Sequence, residues 1–184
     1  MIYVIILKTF VMEHRIYKSQ LIIQNKSEMV EQIHKAHSIH QKYFPGNDST
    51  WTYKAYNFFG LTSPSPLFSD LFFELKEIIH DYIPEKKMWM QSWLNYHLPN
   101  QVLSWHDHYW DYHGYISIDP KGTKTVFEEY EINNEVGNIY IGPGYRKHKV
   151  VVEQDYNEPR ITIGFDVCLK PDNEPNDLLS LIPI

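Results

Sequence analysis

The sequence has little of two features: the cysteines that cross-link small folds, and the long apolar runs that cross membranes. Its one cysteine, Cys168, excludes an internal disulfide and a four-cysteine zinc site. The apolar run Met1–Leu7 is far shorter than the ~20 residues that span a bilayer, and neither a cationic segment nor a cleavage site accompanies it. We interpret this run as a strand and expect a soluble, cytoplasmic protein that has no membrane partner.

Positive charge is also scarce. The chain has 17 Lys and Arg residues against 23 Asp and Glu residues, which gives a net charge of −6. An acidic surface repels the phosphate backbone of nucleic acids. The charge balance therefore favours a small molecule or a protein side chain over nucleic acid as a substrate, and it leaves the oligomeric state open.

Apolar residues are abundant enough for a core. Hydrophobic residues make up 43 % and aromatic residues 15 % of the chain, so we expect one folded domain over 1–184. Residues 1–24 have β-strand character. Helical spacing predicts a helix over about 28–43, capped by Ser27, and a second helix over about 69–82. The segment between them, 47–65, is predicted to be a loop.

The character of the chain changes after Pro84, where short β-branched and aromatic segments alternate with turns. The turn signals are Pro99–Asn100, Asp119–Gly122, Asn133–Asn134, Gly142–Gly144 and Asn157–Pro159. Five or six strands at this spacing predict an antiparallel sandwich or barrel. We therefore expect a mainly β core over 88–170, supported by a strand and two helices from 1–87.

Ten histidines are present, and histidine is the commonest protein ligand of transition metals. His106 and His108 are two apart in an extended segment, so both side chains point the same way. His148, which follows a later strand and turn, is the candidate third ligand. Asp111 and Asp107 are alternatives to His108, if the loop bends.

Two further patterns concern the same chemistry. Arg160 and Thr162 share one face of a late strand, where a guanidinium and a hydroxyl can hold a carboxylate. Three other histidines recur at every third position of the first predicted helix, but the outer two drift apart around the helix. We interpret these as ordinary helix residues. They are His34, His37 and His40.

The order of these blocks resembles the 2-oxoglutarate/iron(II)-dependent oxygenases, in particular a branch that is common in phages and marine bacteria. That branch has W-x-N, H-x-H, G-x4-F-P-x4-H and R-I-S-I-S-F in this order. The matching segments here are Trp93–Asn95, His106–His108, Gly137–His148 and Arg160–Phe165. Two positions depart from the pattern: Gly142 replaces the phenylalanine before Pro143, and Gly114 replaces a small polar residue.

The resemblance implies a double-stranded β-helix, which is a jelly-roll fold related to the cupins. It implies iron(II) on the three histidines, 2-oxoglutarate on Arg160 and Thr162, and dioxygen as co-substrate, so that an unidentified substrate is hydroxylated with release of succinate and CO2. Asn95 either lines the pocket near 2-oxoglutarate or makes a cross-strand hydrogen bond. Five aromatic residues either shape the substrate entrance or belong to the core. They are Tyr96, Trp105, Tyr109, Trp110 and Tyr115.

Two other functions remain open from the sequence. A cupin-type dioxygenase with three histidine ligands needs no 2-oxoglutarate, and the Arg160 and Thr162 pair speaks against it. A jelly-roll protein without catalytic activity, which serves in binding or in a structural assembly, would hold no metal.

Overall fold

A computed structural model describes residues 13–43, 49–52, 56–85, 87–169 and 180–184. These residues form antiparallel sheets and a few helices, which confirms the prediction of a mainly β protein with supporting helices. The helices are α1 (Gln20–Tyr43), α2 (Phe58–Thr62) and α3 (Pro66–Tyr82). The strands are β1 (Arg15–Lys18), β2 (Thr50–Trp51), β3 (Trp89–His97), β4 (Tyr112–Asp119), β5 (Lys124–Phe127), β6 (Glu131–Asn133), β7 (Asn138–Pro143), β8 (His148–Val151), β9 (Arg160–Cys168) and β10 (Leu181–Pro183).

The strands form two sheets. The large sheet has the order β1-β7-β4-β9-β3-β10, with β2 also paired to β3, and the small sheet has the order β6-β5-β8. All of these pairings are antiparallel, and a register shift between Ser117 and Asp119 bends β4. The strand β1 from the N-terminal part lies at the edge of the large sheet, so this part and the β-rich part share one sheet.

Strand β9 shows how the sequence divides the two faces of the large sheet. Ile161, Ile163 and Phe165 are fully buried in the main hydrophobic core, which contains the apolar faces of the helices. Arg160 and Thr162, which alternate with these residues along the strand, point to the opposite face. A smaller core of aromatic residues lies on this second face. Its buried members are Tyr115, Phe127, Ile132 and Tyr140.

The first helix begins earlier than predicted. The Ser19 hydroxyl accepts a hydrogen bond from the Ile22 backbone N–H at 3.2 Å, so Ser19 and not Ser27 marks the start of α1. The predicted strand character up to residue 24 is therefore wrong after Lys18. At Asn25 the backbone leaves helical geometry (φ −115°, ψ 16°). Because α1 buries Ile22 as well as later residues, tertiary packing outweighs the β propensity of the isoleucines.

The other elements of the N-terminal part also differ from prediction at their starts. Helix α3 begins at Pro66 and is capped by Ser65, three residues before the predicted start, while its end at Tyr82 agrees with prediction. Within the described part of 47–65, a predicted loop, the chain forms β2 and α2. The predicted strand Met1–Leu7 lies outside the described residues.

None of the described helices combines the length and the apolar character that a membrane crossing requires. Cys168 is buried, as its apolar sequence context predicted.

Candidate metal centre

A cavity of about 360 Å³ opens between the two sheets. Its walls come from β3, β4 and β9 of the large sheet and from β5 and β8 of the small sheet, and the segment before β4 forms its rim. The lining residues are Thr50, Trp93, Asn95, His97, Leu103, His106, Asp107, His108, His113, Tyr115, Thr125, His148, Val150, Arg160, Thr162 and Gly164.

The three predicted histidine ligands converge at one end of this cavity. Each of His106, His108 and His148 offers a ring nitrogen within 4.8 Å of the other two. The backbones of His106 and His148 are joined by two hydrogen bonds of 3.0 and 2.8 Å, which form an isolated antiparallel bridge. This bridge places the two rings side by side, with their centroids 4.3 Å apart.

Backbone carbonyls fix the tautomers of two of these imidazoles. Nδ1 of His106 lies 2.8 Å from the Ser104 carbonyl oxygen, and Nδ1 of His148 lies 3.1 Å from the Arg146 carbonyl oxygen. A carbonyl only accepts, so each Nδ1 carries the proton and each Nε2 keeps its lone pair. Nε2 is then the nitrogen that can bind a metal ion, and the hydrogen bonds hold each ring in place.

Burial keeps two of these imidazoles, His106 and His148, neutral. Burial lowers the pKa of His148 to about 2, and the neighbouring His113 and His106 rings add to this effect. Burial also lowers the pKa of His106, against the hydrogen bond to the Ser104 carbonyl, which raises it. Neutral imidazole is the form that binds metals, so the site needs no proton release at these two rings.

Two buried residues that the sequence analysis did not identify, His113 and Asp166, lie next to the third candidate ligand, His108. Nδ1 of His108 lies 3.2 Å from one Asp166 carboxylate oxygen and 3.0 Å from the other, and Nδ1 of His113 lies 2.9 Å from Asp166. Burial raises the pKa of the Asp166 carboxyl, and the hydrogen bond from His108 opposes this shift. Burial also lowers the pKa of His113 well below its ordinary value. The side chains of His108, His113 and Asp166 form a second group that could hold a metal ion.

The lone pair of His108 Nε2 has no protein partner. This nitrogen is buried and finds no hydrogen-bond partner within the described ranges. A buried polar atom without a partner costs about 1–3 kcal/mol, which a metal ion at this point would offset. The donor set of three imidazole nitrogens is one that iron, zinc, copper and nickel accept.

Arg160 and Thr162 line the same cavity and lie six and four residues before Asp166 on β9. The Arg160 side chain is buried, and its Nε donates to the Thr123 hydroxyl at 3.3 Å. No salt bridge to Arg160 is found among the described residues, and burial lowers its pKa to about 10. The Thr162 hydroxyl accepts a hydrogen bond of 3.3 Å from the Asn95 amide, so Asn95 makes the cross-strand bond and also lines the cavity.

His97 and Tyr115 complete this end of the cavity. His97 lies directly across from Arg160 in the sheet, and burial together with the Arg160 charge lowers its pKa to about 4. Its Nε2 lies 2.8 Å from the Thr50 hydroxyl. Burial raises the pKa of Tyr115, and the contact of its hydroxyl with the Thr125 side chain opposes this shift. The sequence analysis did not single out His97, although it alternates with Trp93 and Asn95 on the same strand face.

The two alternative carboxylates lie apart from the three-histidine cluster. Asp107 is exposed at the rim of the cavity, and Asp111 accepts a hydrogen bond of 2.9 Å from the Leu169 backbone N–H. Neither belongs to a group of side chains close enough to hold a metal ion within the described part of the chain. The geometry therefore favours His108 over both.

Only one of the five predicted pocket aromatics, Tyr115, lines the cavity. Tyr96 lies on the opposite face of β3, where its hydroxyl is 2.6 Å from His34 Nδ1, because Asn95 and His97 take the cavity face. Trp105 is 46 % exposed and carries the Lys149 ammonium over its ring.

The other two aromatics, Tyr109 and Trp110, line a shallow surface depression beside the cavity, together with Tyr145. Tyr109 is 84 % exposed, so it belongs to the surface rather than to the core.

The helical histidines take part in aromatic packing. His37 stacks on Tyr96 with centroids 3.9 Å apart, and His40 packs on Trp51 at 5.2 Å. These contacts attach α1 to the outer face of β3 and its neighbour β2.

Glycines on β4 and β7 make room for buried aromatic residues of the two cores. A Cβ at Gly114 would collide with the Phe165 ring and the Tyr140 carbonyl oxygen, and a Cβ at Gly142 would collide with the Tyr140 hydroxyl. The two departures from the family pattern therefore suit the local packing of a buried tyrosine.

Comparison with models of known protein families and with curated proteins finds no match to this chain.

Proposed function

We propose that the chain is an iron(II)/2-oxoglutarate-dependent oxygenase that hydroxylates an unidentified substrate, with release of succinate and CO2. One observation carries the proposal. The cavity is lined by three imidazoles and a buried arginine: His148 pairs with Phe127 at one end of β5, whereas Arg160 binds the Thr123 hydroxyl just before the other end. No carboxylate pairs with this arginine among the described residues. A dicarboxylate that also binds metal matches both ends.

The strand order supports a double-stranded β-helix. We number the strands from β3 and take the His106 segment as the second, so that β3, β4, β7 and β9 are the first, third, sixth and eighth strands. These four form the centre of the large sheet in the order β7-β4-β9-β3. The second, fourth, fifth and seventh form the small sheet, where His106 extends the order β6-β5-β8. Strands that alternate between two sheets in this way are typical of the jelly roll.

In this proposal Nε2 of His106, His108 and His148 hold iron(II). The metal supplies the activation of dioxygen, and the protein supplies its position, its charge environment and the exclusion of water. Three neutral ligands leave the full positive charge of the ion uncompensated by the ligands themselves, which favours an anionic co-substrate.

The far carboxylate of 2-oxoglutarate binds at the Arg160 end. The guanidinium offers its fork, Thr162 offers a hydroxyl, and the Tyr115 hydroxyl, which lies next to Thr125, is a third donor. Asn95 holds the Thr162 hydroxyl in place. Because Arg160 is buried, an anion bound to it is shielded from water and the pair is strengthened.

A three-histidine dioxygenase that needs no 2-oxoglutarate is the second candidate. The absence of a carboxylate from the group His106, His108 and His148 favours it. In that case Arg160 binds a carboxylate of the substrate itself. A binding or structural protein without metal is the remaining outcome of the test below.

The test is a titration of 2-oxoglutarate into anaerobic protein loaded with iron(II), following the metal-to-ligand charge-transfer band. In a separate assay with dioxygen present, succinate release is measured over a panel of small molecules and peptides. We expect the band in the wild type and in His80→Ala, which changes a histidine of α3, and its loss in His148→Ala. Bound iron without a band would favour the second candidate. Failure to bind any metal would contradict both enzyme functions.

A further inference from the structure

Asp166 is the one acidic residue in the strand β9, and it lies beside the candidate metal centre rather than in it. The carboxylate is 2 % exposed and contacts two imidazoles, those of His108 and His113. His113 is its direct cross-strand neighbour on β4. His108 comes from the loop before β4, so Asp166 links this loop to the rigid centre of the large sheet.

The contacts define what Asp166 does to His108. A carboxylate accepts, so Nδ1 of His108 is the protonated nitrogen and Nε2 carries the lone pair. Backbone carbonyls do the same for His106 and His148, but only His108 has a charged acceptor. A carboxylate behind an imidazole fixes its orientation and makes the ligand more basic.

Stacking restricts the same ring further. The His108 and His113 rings are nearly parallel, with centroids 3.6 Å apart and an angle of 10° between them. The Trp93 ring stacks against both, at 5.7 and 6.1 Å. With Asp166 at one edge and aromatic rings at its face, His108 has one orientation. Its Nε2 is buried, and the residue offers a ring nitrogen within 4.8 Å of those of the two other ligands.

We propose that Asp166 is the positioning residue of the metal centre: it orients His108 and supplies, from behind this ligand, the negative charge that a set of three neutral imidazoles lacks. This inference rests on the proposed three-histidine metal site. Asp166 itself does not contact the metal, and His113 serves as a second donor that holds the carboxylate in place.

The alternative use of these residues is a metal site formed by His108, His113 and Asp166, which also lie within 4.8 Å of one another. In that case Asp166 and His113 would be ligands. Two hydrogen-bonded contacts from imidazole Nδ1 atoms to one carboxylate, at 2.9 and 3.0–3.2 Å, instead match an acceptor held by two donors.

The experiment uses cobalt(II) alone as the probe, which reports both affinity and ligand geometry through its visible bands. Asp166→Asn should weaken cobalt binding about 10–100-fold, measured by chelator competition, and shift the visible bands. X-ray absorption should still count three imidazoles in the variant. Asp111→Asn, which changes a nearby carboxylate that binds a backbone N–H, should bind cobalt like the wild type. Asp166→Glu should recover part of the affinity.

A cobalt affinity of Asp166→Asn within two-fold of the wild type would overturn the inference. The inference would also be overturned if the wild type has a carboxylate ligand that this variant loses. That result would favour the metal site formed by His108, His113 and Asp166. If His106→Ala and His148→Ala bind cobalt like the wild type, the proposed metal site itself is wrong. If these two variants lose cobalt and Asp166→Asn does not, only the role of Asp166 is wrong.

A measurement on the wild type avoids the risk that Asp166→Asn fails to fold. Long-range proton–nitrogen NMR spectra of the zinc-loaded protein identify the protonated nitrogen of each histidine. We expect His108 to carry its proton on Nδ1, with a proton signal shifted downfield by the charged acceptor relative to those of His106 and His148. A proton on His108 Nε2 would refute the role of Asp166 regardless of any variant.

Discussion

Replacement of Arg160 by methionine should separate the cost of a buried charge from its use in binding. Burial lowers the pKa of Arg160 from 12.5 to about 10, so the folded protein disfavours the charged guanidinium by about 3 kcal/mol. The guanidinium is protonated in both the folded and the unfolded chain at neutral pH. The cost is therefore fully present there, and it disappears only as the pH rises through the folded and then the unfolded pKa.

Methionine keeps much of the apolar stem of the side chain and removes the charge. The lost hydrogen bond to the Thr123 hydroxyl offsets about 1–2 kcal/mol of the gain. Without ligand, Arg160→Met should thus be as stable as the wild type or more stable by up to about 2 kcal/mol in urea unfolding. It should bind 2-oxoglutarate about ten-fold more weakly or worse, because charge-assisted hydrogen bonds are worth about 1.5–3 kcal/mol each.

The assay is urea unfolding of the metal-loaded protein under anaerobic conditions, with and without 2-oxoglutarate. The control is Arg15→Met, which removes an exposed arginine that pairs with Asp81 on the surface. It should leave 2-oxoglutarate binding unchanged. If Arg160→Met lowers the stability by more than about 3 kcal/mol while 2-oxoglutarate still stabilises the protein as in the wild type, the cation is structural and the reasoning fails.

Three further predictions concern the walls of the cavity. Gly164→Ala places a Cβ against the Trp93 indole and should lower the free energy of unfolding in urea by about 1–3 kcal/mol. The control Gly60→Ala, in α2, adds a Cβ at ordinary contact distance and should cause no measurable loss, so equal effects of the two variants would contradict the packing described. Because the pKa of His97 is lowered to about 4, the contribution of this neutral residue to stability is present above about pH 6.5 and is lost as the pH falls towards 4. His97→Asn should therefore flatten the decline of the unfolding free energy over this interval, and an unchanged slope would exclude His97 as the source of the decline. Tyr115→Phe should weaken 2-oxoglutarate binding with little change in the melting temperature, because the hydroxyl contacts a single side chain, Thr125, among the described residues. A large loss of stability without a change in binding would argue for a structural hydroxyl.

The period-2 alternation of strands made part of the centre predictable from the sequence. It placed Arg160 and Thr162 on one face of β9 and paired His106 with His108, and the structure brings all four residues to one cavity. The same rule also contained a signal for Asp166, which continues the alternation of Arg160 and Thr162 and is the one acidic residue of this strand. The sequence reading did not use this signal.

The remaining differences come from tertiary structure that local patterns do not encode. His113 reaches Asp166 through the register of β4 against β9, and a register cannot be read from either strand alone. Tyr96 does not line the cavity, because adjacent residues of a strand face opposite sides and its neighbours Asn95 and His97 take the cavity side. Helix α1 begins at Gln20 because it buries Ile22 against the sheet, which outweighs local β propensity.

The backbone bridge between His106 and His148 has a consequence for the order of folding. It joins two segments that are about 40 residues apart in the chain, and such distant pairings form after local structure. His148 begins the strand β8, so until this strand packs against β5, only two of the three proposed ligands, His106 and His108, can bind the same metal ion. Two imidazoles bind a metal ion more weakly than three. Tight metal uptake should therefore follow the closure of the small sheet, so that the rate of cobalt capture during refolding reports the last step of assembly.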